Sequence, residues 1–285
     1  MCTGQITVWK VGMGGDDKIV VFASNDGLEK LQKADTYHVD GTFDTSPKLF
    51  YQVISVHAFV LGVMMPLVFG LLPNKSSATY YRFFSLLKEK ASGLGYQLKP
   101  LYIMQDFELG LMKAAGGVFD NVQIKGCYFH YAQSLWRKLQ NIGLSIHYQS
   151  DSGVRKWFRM LLALPFVPVT QVKDAFMFIK SDTPNAQRIE EFVEYFRRTW
   201  MDGSYPLIMW NYFKYDGPRT NNHVEGFHTR LMKKAGKSHP NLFEVVQLFI
   251  HEEASLMCKS CSWSQDSLLL DVADVMMTLT IALKD

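Results

Sequence analysis

Residues 36–72 decide the fold; they read TYHVDGTFDTSPKLFYQVISVHAFVLGVMMPLVFGLL. The first five residues have strand character, and successive side chains of a strand point to opposite faces of a sheet. Tyr37 and Val39 therefore share one face, while His38 and Asp40 share the other. A glycine follows at once, so we expect Asp40 to stand at the end of this strand, on its polar face.

The remainder of the stretch predicts two further strands, over roughly 50–60 and 63–71. Valine and isoleucine are frequent there, and Leu61-Gly62 marks a turn between them. No charged residue occurs from 49 to 74, which is long enough for a membrane helix of ~20 residues. Polar residues alternate with apolar ones, however, and glycine and proline interrupt the pattern. Two buried strands fit better than one membrane span, and we expect a soluble protein.

The flanking sequence alternates between strand and helix patterns. A strand and a short helix precede the quoted stretch, over 18–24 and 25–34. After it, Ser76 or Ser77 caps a helix, and an apolar strand over 101–105 ends in Asp106. A helix of about ten residues, a strand over 122–127 and a helix over 128–144 follow. Three meandering strands followed by βα units predict an α/β fold, a mixed sheet flanked by helices.

The hydrophobic pattern changes from about 153 to 214, where apolar residues recur at helical spacing between prolines. This pattern predicts a helical insertion. Trp157, Phe158 and Trp200 within it are candidates for stacking on bases, although a helical core is the better interpretation for most such aromatics. Beyond the insertion, a polar stretch leads into a helix carrying Glu225. Two more helices are expected, over 241–257 and 266–283.

Three acidic residues occupy suggestive positions. Asp40 and Asp106 directly follow apolar strands, and Glu225 stands in the first turn of a helix. Two divalent ions held by such a cluster can activate a water or a 3′-hydroxyl and stabilise the leaving oxygen in phosphoryl transfer. Carboxylate oxygens suit Mg²⁺ or Mn²⁺.

Each of these residues also has a purely structural interpretation. Asp40 can cap the turn that follows it, and Asp106 can be the N-cap of a helix starting at the next residue. Asn222 and Glu225 have the spacing of a capping box. Asp44 and Glu108 are nearby competitors for a metal. Periodicity alone leaves these alternatives open.

Five motifs that occur in a set order favour the metal-ligand interpretation over the structural one. The segments HVDGTFDTSPKLFYQVISVHAF, PLVFGLLPNKSSATYYRFFSLLK, IMQDFE, GCYFHYAQSLWRKLQNIGL and RTNNHVEGFH together resemble the Mutator-like element (MULE) transposases. The similarity runs from about residue 18 to about residue 255. It implies an RNase H-like core with an all-helical insertion before the last acidic residue. It also implies that Asp40, Asp106 and Glu225 are the catalytic metal ligands, separated by 106 − 40 = 66 and 225 − 106 = 119 positions.

The resemblance divides the chain into five parts. They are an N-terminal strand and helix, a first part of the RNase H-like core, the helical insertion, the core helix with the last acidic residue, and C-terminal helices. Their expected ranges are 1–35, 36–150, 151–214, 215–240 and 241–285.

Cysteine and histidine residues add candidates of a second kind. Cys127 and His130 form a C-x-x-H pair that the resembling family shares, with a role in ordering the site or contacting phosphate. Arg219, Asn222 and His228 are further candidates for that role. Cys258 and Cys261 would complete a four-ligand zinc site with Cys127 and His130. The alternative for the first pair is a buried thiol beside a helix start, and for the second, two unrelated thiols. With four cysteines in the chain, we expect a reducing compartment.

The net charge and the local charge of the chain give different indications about DNA binding. The chain has 30 Lys+Arg and 27 Asp+Glu, a net charge of +3, with 48% hydrophobic and 14% aromatic residues. This composition excludes a disordered chain and gives no bulk attraction to nucleic acid. Residues 214–237 are locally basic, at 6 − 2 = +4. Within them, Arg219, Arg230, Lys233 and Lys234 are candidate DNA contacts, or else form an ordinary solvated helix face.

These observations lead to one main expectation and one alternative. The main one is a metal-dependent DNA transposase that cleaves and joins strands at transposon ends and target DNA, using two Mg²⁺ or Mn²⁺ ions, in the nucleus and as a homo-oligomer. The alternative is a domesticated DNA-binding or regulatory protein that keeps the fold without cleavage. We expect no membrane association, and the polar, Gly-rich start predicts no signal peptide.

Overall fold

A mixed seven-stranded sheet organises the chain in a computed structural model, which describes residues 6–11 and 17–258. Its strand order is β1-β2-β5-β4-β3-β6-β7. The strands β3 and β6 are parallel, whereas β1-β2, β2-β5, β5-β4 and β4-β3 are antiparallel. The α/β class with a mixed sheet and flanking helices confirms the prediction. The strands are β1 (Ile6–Val11), β2 (Ile19–Ser24), β3 (Thr36–Thr42), β4 (Gln52–Val60), β5 (Val63–Leu72), β6 (Tyr102–Gln105) and β7 (Gln123–Gly126).

The predicted meander is confirmed as β3-β4-β5. Val60 pairs with Val63, so Leu61 and Gly62 form a two-residue turn. Both turn residues have positive φ, 50° and 79°, as a tight hairpin of this type requires. The uncharged segment is therefore a hairpin, and in the described part of the chain no helix is long and apolar enough to cross a membrane.

Two strand predictions need correction. β3 continues for two residues beyond Asp40 to Thr42, because the pairing of Gly41 with Ile54 and of Thr42 with Val53 extends the ladder. Asp40 therefore lies inside the strand. In addition, β1 pairs with β2 along the edge of the sheet and was not predicted. Residues 6–11 and 19–24 thus belong to the same sheet as the strands that follow.

Among the described residues, five helices accompany the sheet in a first structural unit, which comprises residues up to Ile124 and from Asn221 onward. The predicted cap is confirmed, since the Ser76 hydroxyl accepts the Thr79 backbone N–H. The second C-terminal helix predicted over 266–283 lies outside the described residues. The five helices are α1 (Asn25–Gln32), α2 (Ser77–Gly93), α3 (Leu109–Val118), α10 (Asn222–Ala235) and α11 (Leu242–Cys258).

The two faces of the sheet are covered by different helices. On one face, Phe69 of β5 stacks on Phe249 of α11 with ring centroids 4.2 Å apart, and Phe227 of α10 joins the same buried cluster. On the other face, Phe83 of α2 packs directly over Gly70. The helices that carry the later motifs therefore cover the face opposite to α2.

The second unit, Lys125–Thr220, is helical and has an aromatic core. Trp157, Phe158 and Trp200 are each 2% exposed, which favours the predicted core role for them. Tyr131 stacks on Trp210 with ring centroids 5.6 Å apart. Its helices are α4 (Tyr128–Asn141), α5 (Ser145–Ser150), α6 (Ser152–Ala163), α7 (Val172–Ser181), α8 (Ile189–Phe196) and α9 (Leu207–Trp210), with 3₁₀ turns at Leu164–Phe166 and Val169–Gln171 and a π-helical turn at Arg197–Met201.

Candidate active site

Asp40 lies on the polar face of β3, with its side chain largely removed from solvent. The residue is 8% exposed. Its Oδ1 accepts the backbone N–H of Gly41 at 3.0 Å, and its Oδ2 lies 3.3 Å from Nδ1 of His228 on α10. Each carboxylate oxygen therefore has a contact that restrains its orientation, and a carboxylate retains further lone pairs for another ligand.

Asp106 comes next to Asp40 because of the strand register. In the parallel pair, Thr36 is opposite Tyr102 and His38 is opposite Met104, an offset of 104 − 38 = 66 positions. Asp106 is 66 positions after Asp40 and follows β6 directly, as predicted. Adjacent strands lie ~4.8 Å apart, so continuing this register brings the two aspartate backbones alongside each other.

Glu225 shares a face of α10 with two residues that contact β3. The helix is capped by Asn221, and Glu225 and His228 follow four and seven positions later, which places all three on one helical face. Asn221 Nδ2 donates to the Val39 carbonyl at 3.2 Å, and His228 contacts Asp40. The half-buried Glu225 lies between these two contacts, on the face of α10 that packs on β3.

A chain of buried polar groups extends from Asp40 into the sheet. His228 Nε2 lies 2.9 Å from Ser55 Oγ, and that hydroxyl lies 2.8 Å from His57 Nε2. Ser55 and His57 belong to β4 and face the same side as Asp40, because Asp40 is paired with Ser55. Burial lowers the pKa of His57 well below its ordinary value, with a further contribution from His228. His57 is therefore neutral near neutral pH.

A second buried histidine connects the start of α10 to β3. His38 Nδ1 lies 3.0 Å from Asn221 Oδ1. Burial lowers the pKa of His38 to about 4. Because Asn221 Nδ2 donates to a backbone carbonyl, its Oδ1 is the acceptor, and His38 donates from Nδ1. The helix that carries Glu225 is thus held at its first residue by a neutral histidine–asparagine pair.

The helix-capping roles that the sequence left open for Asp106 and Glu225 are not found in the structure. Helix α3 begins at Leu109 with Glu108 as N-cap, so Asp106 does not cap it. Helix α10 begins at Asn222 with Asn221 as N-cap, so Asn222 and Glu225 do not form the expected capping box. Asp40 lies within a continuing strand, where its Oδ1 accepts the backbone N–H of Gly41.

The two competing acidic residues have other surroundings. Glu108 accepts a hydrogen bond from the Tyr80 hydroxyl, and burial, together with the charge of Asp106, raises its pKa. Asp44 is exposed, and its carbonyl accepts the His239 backbone N–H at 2.7 Å. Glu108 is near Asp106 but is engaged with α2, whereas Asp44 belongs to the loop between β3 and β4.

The basic residues of α10 are partly neutralised. Glu252 of α11 is 2% exposed, and it accepts from Arg230 at 2.9 Å and from Lys234 at 2.5 Å. Burial alone would raise the pKa of Glu252, but these two hydrogen bonds hold it below its ordinary value. Lys233 is exposed. Of the candidate DNA contacts on α10, Lys233 is therefore the one not paired with Glu252.

The remaining candidates belong to the helical unit or lie beyond the described side chains. Cys127 is buried, and His130 is half-buried in the first turn of α4. Arg219 is exposed, with its guanidinium 5.3 Å from the ring centroid of Phe166. The Cys258 side chain and Cys261 lie outside the described residues. The zinc hypothesis therefore remains a prediction.

The donor chemistry of the site suits a hard divalent cation, because carboxylate oxygens are the preferred ligands of Mg²⁺ and Mn²⁺. Within residues 6–11 and 17–258, no three His, Cys, Asp or Glu side chains already converge as a metal site. Asp40 and Asp106 belong to or follow the neighbouring strands β3 and β6, and Glu225 belongs to the helix that contacts β3.

Sequence reasoning did not single out Asn221, Ser55, His57 or His38. A signal for three of them was present: His38 alternates with Asp40 along β3, and Ser55 alternates with His57 along β4. Two strands carrying polar pairs on otherwise apolar backgrounds indicate a polar strip on one face of a sheet. Asn221 and Asn222 are adjacent, and only the structure shows which one is buried.

Comparison with known proteins agrees with the motif-based resemblance. Residues 36–134 match the MULE transposase domain. This range contains β3 to β7, α2, α3 and the first half of α4, including Asp40 and Asp106, whereas Glu225 lies beyond it. No curated protein matches the chain. The resemblance to Mutator-like element transposases is thus confirmed over the segment that holds the first two acidic residues.

Proposed function

We propose that this chain is the catalytic region of a metal-dependent DNA transposase with an RNase H-like core. Asp40, Asp106 and Glu225 are its metal ligands, and the helical unit from Lys125 to Thr220 is the insertion before the last ligand. DNA is the partner implied by the transposase domain. The proposal includes a nuclear location, where that DNA resides, and a homo-oligomer that holds two transposon ends.

One observation carries the proposal. The β3-β6 register, continued for two positions beyond its last pair, aligns Asp106 with Asp40, and contacts from Asn221 and His228 hold α10 on the same strand. These backbone positions support a shared site for three carboxylates from distant parts of the sequence. A structural role for each residue separately gives no reason for this common location.

The protein's own groups would prepare this site for phosphoryl transfer. Two bound Mg²⁺ or Mn²⁺ ions would supply Lewis-acid activation and charge stabilisation. Asp40 is oriented by Gly41 and His228, and Glu225 is presented by a helix anchored at both sides of it. The exposed Lys233 is available for a phosphate of the DNA.

A strand-joining assay tests the proposed reaction. The protein is incubated with Mn²⁺ and a pre-cleaved DNA end from the flanking genomic repeats, and joined products are scored. We expect joining by the parent and none by Asp40→Asn, because the amide cannot replace a charged ligand. The control is Asp44→Asn, at an exposed loop position, which should retain joining.

Several outcomes of this assay would contradict the proposal. Joined products from Asp40→Asn at the parental level would exclude Asp40 as a ligand. DNA binding without cleavage or joining by the parent would favour the domesticated alternative. Hydrolysis without joined products would indicate a nuclease.

A further inference from the structure

We propose that His228 is a positioning residue for Asp40, presenting an Nδ1 hydrogen to Oδ2 because Ser55 and His57 fix the hydrogen on that ring nitrogen. The inference rests on the proposed function, since it assigns His228 a role in orienting a metal ligand. It follows from the order of donors and acceptors along four buried groups.

The order begins at His57, which is 0% exposed. Nδ1 of this ring has no hydrogen-bond partner among the described residues, whereas Nε2 lies 2.8 Å from Ser55 Oγ. A neutral imidazole carries one hydrogen, and a buried N–H without an acceptor costs more than a bare nitrogen lone pair. The hydrogen of His57 is therefore on Nε2, and His57 donates to Ser55.

Ser55 is the next group in this chain of hydrogen bonds. Its oxygen accepts from His57, so its own single hydrogen remains for another acceptor. His228 Nε2 lies 2.9 Å from the hydroxyl oxygen, and the Asp40 carbonyl lies 3.4 Å from it. The ring nitrogen is the nearer of these two acceptors, and we assign the Ser55 hydrogen to it.

The position of the hydrogen on the His228 ring follows from this assignment. With Nε2 as acceptor, a ring hydrogen resides on Nδ1, which faces Asp40 Oδ2 at 3.3 Å. The Gly41 backbone N–H donates to the other oxygen at 3.0 Å. Both oxygens of Asp40 are thereby oriented by donors, and the plane of the carboxylate is set.

Such an arrangement matters for a metal ligand because partners behind a ligand fix its orientation and basicity. Loss of such a partner typically lowers metal affinity by ~10–100-fold. His228 also packs α10 against the sheet, so a general loss of structure has to be separated from a specific loss of orientation. Asparagine and glutamine at position 228 make that separation.

The hydrogen position is measured on the metal-free protein labelled with ¹⁵N-histidine. Long-range ¹H–¹⁵N correlation distinguishes the ring nitrogens of the eight histidines, and the signal lost in His228→Asn assigns His228. We expect hydrogen on Nδ1 and none on Nε2. Hydrogen on Nε2, alone or with Nδ1, would overturn the inference, and this outcome does not depend on metal binding or activity.

The functional consequence is measured as Mn²⁺ affinity by calorimetry in two variants. His228→Asn keeps an N–H donor at the δ position, whereas His228→Gln moves the donor to the ε position. We expect His228→Asn to bind within about threefold of the parent and His228→Gln to bind about tenfold or more weakly, in the range for a lost orienting partner. His251→Asn, on the exposed part of α11, is the matched control and should bind as the parent does.

Equal weakening by the asparagine and glutamine variants, or parental affinity in both, would overturn the positioning role. Circular dichroism and urea denaturation of each variant show whether it is folded. A parent that binds no Mn²⁺ would instead refute the proposed function, while the ring measurement would still decide the hydrogen position.

Discussion

At the scale of single residues, the candidate site combines an acidic face with neutral buried histidines. Asp40 is restrained by Gly41 and His228, and the nearby rings of His38 and His57 have lowered pKa values because they are buried. Because these two rings are neutral near neutral pH, they do not cancel the charge of the nearby carboxylate. The carboxylate therefore remains available for a cation.

Glu252 gives a prediction at this scale about stability and pH. Its pKa is held low in the folded protein, so its contribution to stability is present above the ordinary glutamate value of 4.5 and is lost as pH falls through the lowered folded value. We expect Glu252→Gln to reduce the free energy of unfolding by about 1–2 kcal/mol at pH 7, since hydrogen bonds to a charged group are lost.

Urea denaturation at pH 7 and pH 3 measures this effect. The parent and variant should differ clearly at pH 7, and the difference should shrink as pH falls from 4.5 through the lowered folded pKa, because protonation removes the charged hydrogen bonds. Glu190→Gln, at an exposed position of α8, serves as the control. A difference that stayed constant between the two pH values would show that the ion pairs are not responsible.

The sequence was informative about which residues carry chemistry, and less so about their contacts. The positions of Asp40 and Asp106 after apolar strands marked them as candidates. The contact between Ser55 and His228 joins residues 173 positions apart, which no local period contains. Likewise, the pairing of Arg230 and Lys234 with Glu252 depends on how two helices pack. Local charge along the sequence therefore overstated the free positive charge.

At the scale of elements, α10 is the part that completes the site. It is fixed to the sheet by polar contacts at Asn221 and His228 and by Phe227 in the apolar cluster. The polar contacts define its register along β3, and the apolar contacts hold it there. Glu225 owes its position to both.

Two adjacent asparagines provide a matched test of this docking. Asn221 is fully buried and contacts both His38 and Val39, whereas Asn222 is exposed. We expect Asn221→Ala to destabilise the protein by about 1–3 kcal/mol, since buried polar partners are left unsatisfied. Asn222→Ala should change stability by no more than about 0.5 kcal/mol.

Hydrogen exchange of the α10 amides measures the docking directly. Exchange should accelerate along α10 in Asn221→Ala and stay at the parental rate in Asn222→Ala. Similar exchange in both variants would show that the histidine–asparagine pair does not hold the helix.

Packing between β5 and α2 gives a second prediction at this scale. A Cβ added to Gly70 would lie 2.6 Å from Phe83 Cε2 and 2.7 Å from Ile54 Cγ2, closer than atoms can pack. We expect Gly70→Ala to lower the free energy of unfolding by about 1–3 kcal/mol through overpacking. Gly93→Ala, where no atom lies within 4 Å of the added Cβ, should be neutral or stabilising by up to about 1 kcal/mol. Urea denaturation compares them, and a neutral Gly70→Ala would contradict the packing.

Element positions were largely predictable, because the strands between residues 19 and 126 and the helices between them have clear periods and turn signals. The first strand was missed because Thr7, Val8, Trp9 and Lys10 are all half-buried at a sheet edge, and an edge strand carries a weak burial pattern. The extension of β3 beyond Asp40 was missed because Gly41 suggested a strand end. Pairing with β4 outweighed the preference of that one glycine.

At the scale of the whole molecule, the net charge of +3 has to be considered together with where charges are paired. Two cations of α10 are bound to Glu252, and the proposed ligands add negative charge to the face that would meet DNA. Divalent ions would reverse that local sign. We therefore expect DNA binding by the intact chain to depend on Mn²⁺ or Mg²⁺, measured by fluorescence anisotropy with and without the ion. Equal affinity in both conditions would contradict this expectation.

The central claim is that Asp40, Asp106 and Glu225 form one metal-binding site, and calorimetric titration with Mn²⁺ tests it most directly. Four proteins are compared: the parent, Asp40→Asn, Asp106→Asn and Glu225→Gln, each shown to be folded by circular dichroism. The account predicts saturable binding by the parent and loss of that binding in each of the three variants. Absence of binding by the parent, or parental binding by any one variant, would contradict it.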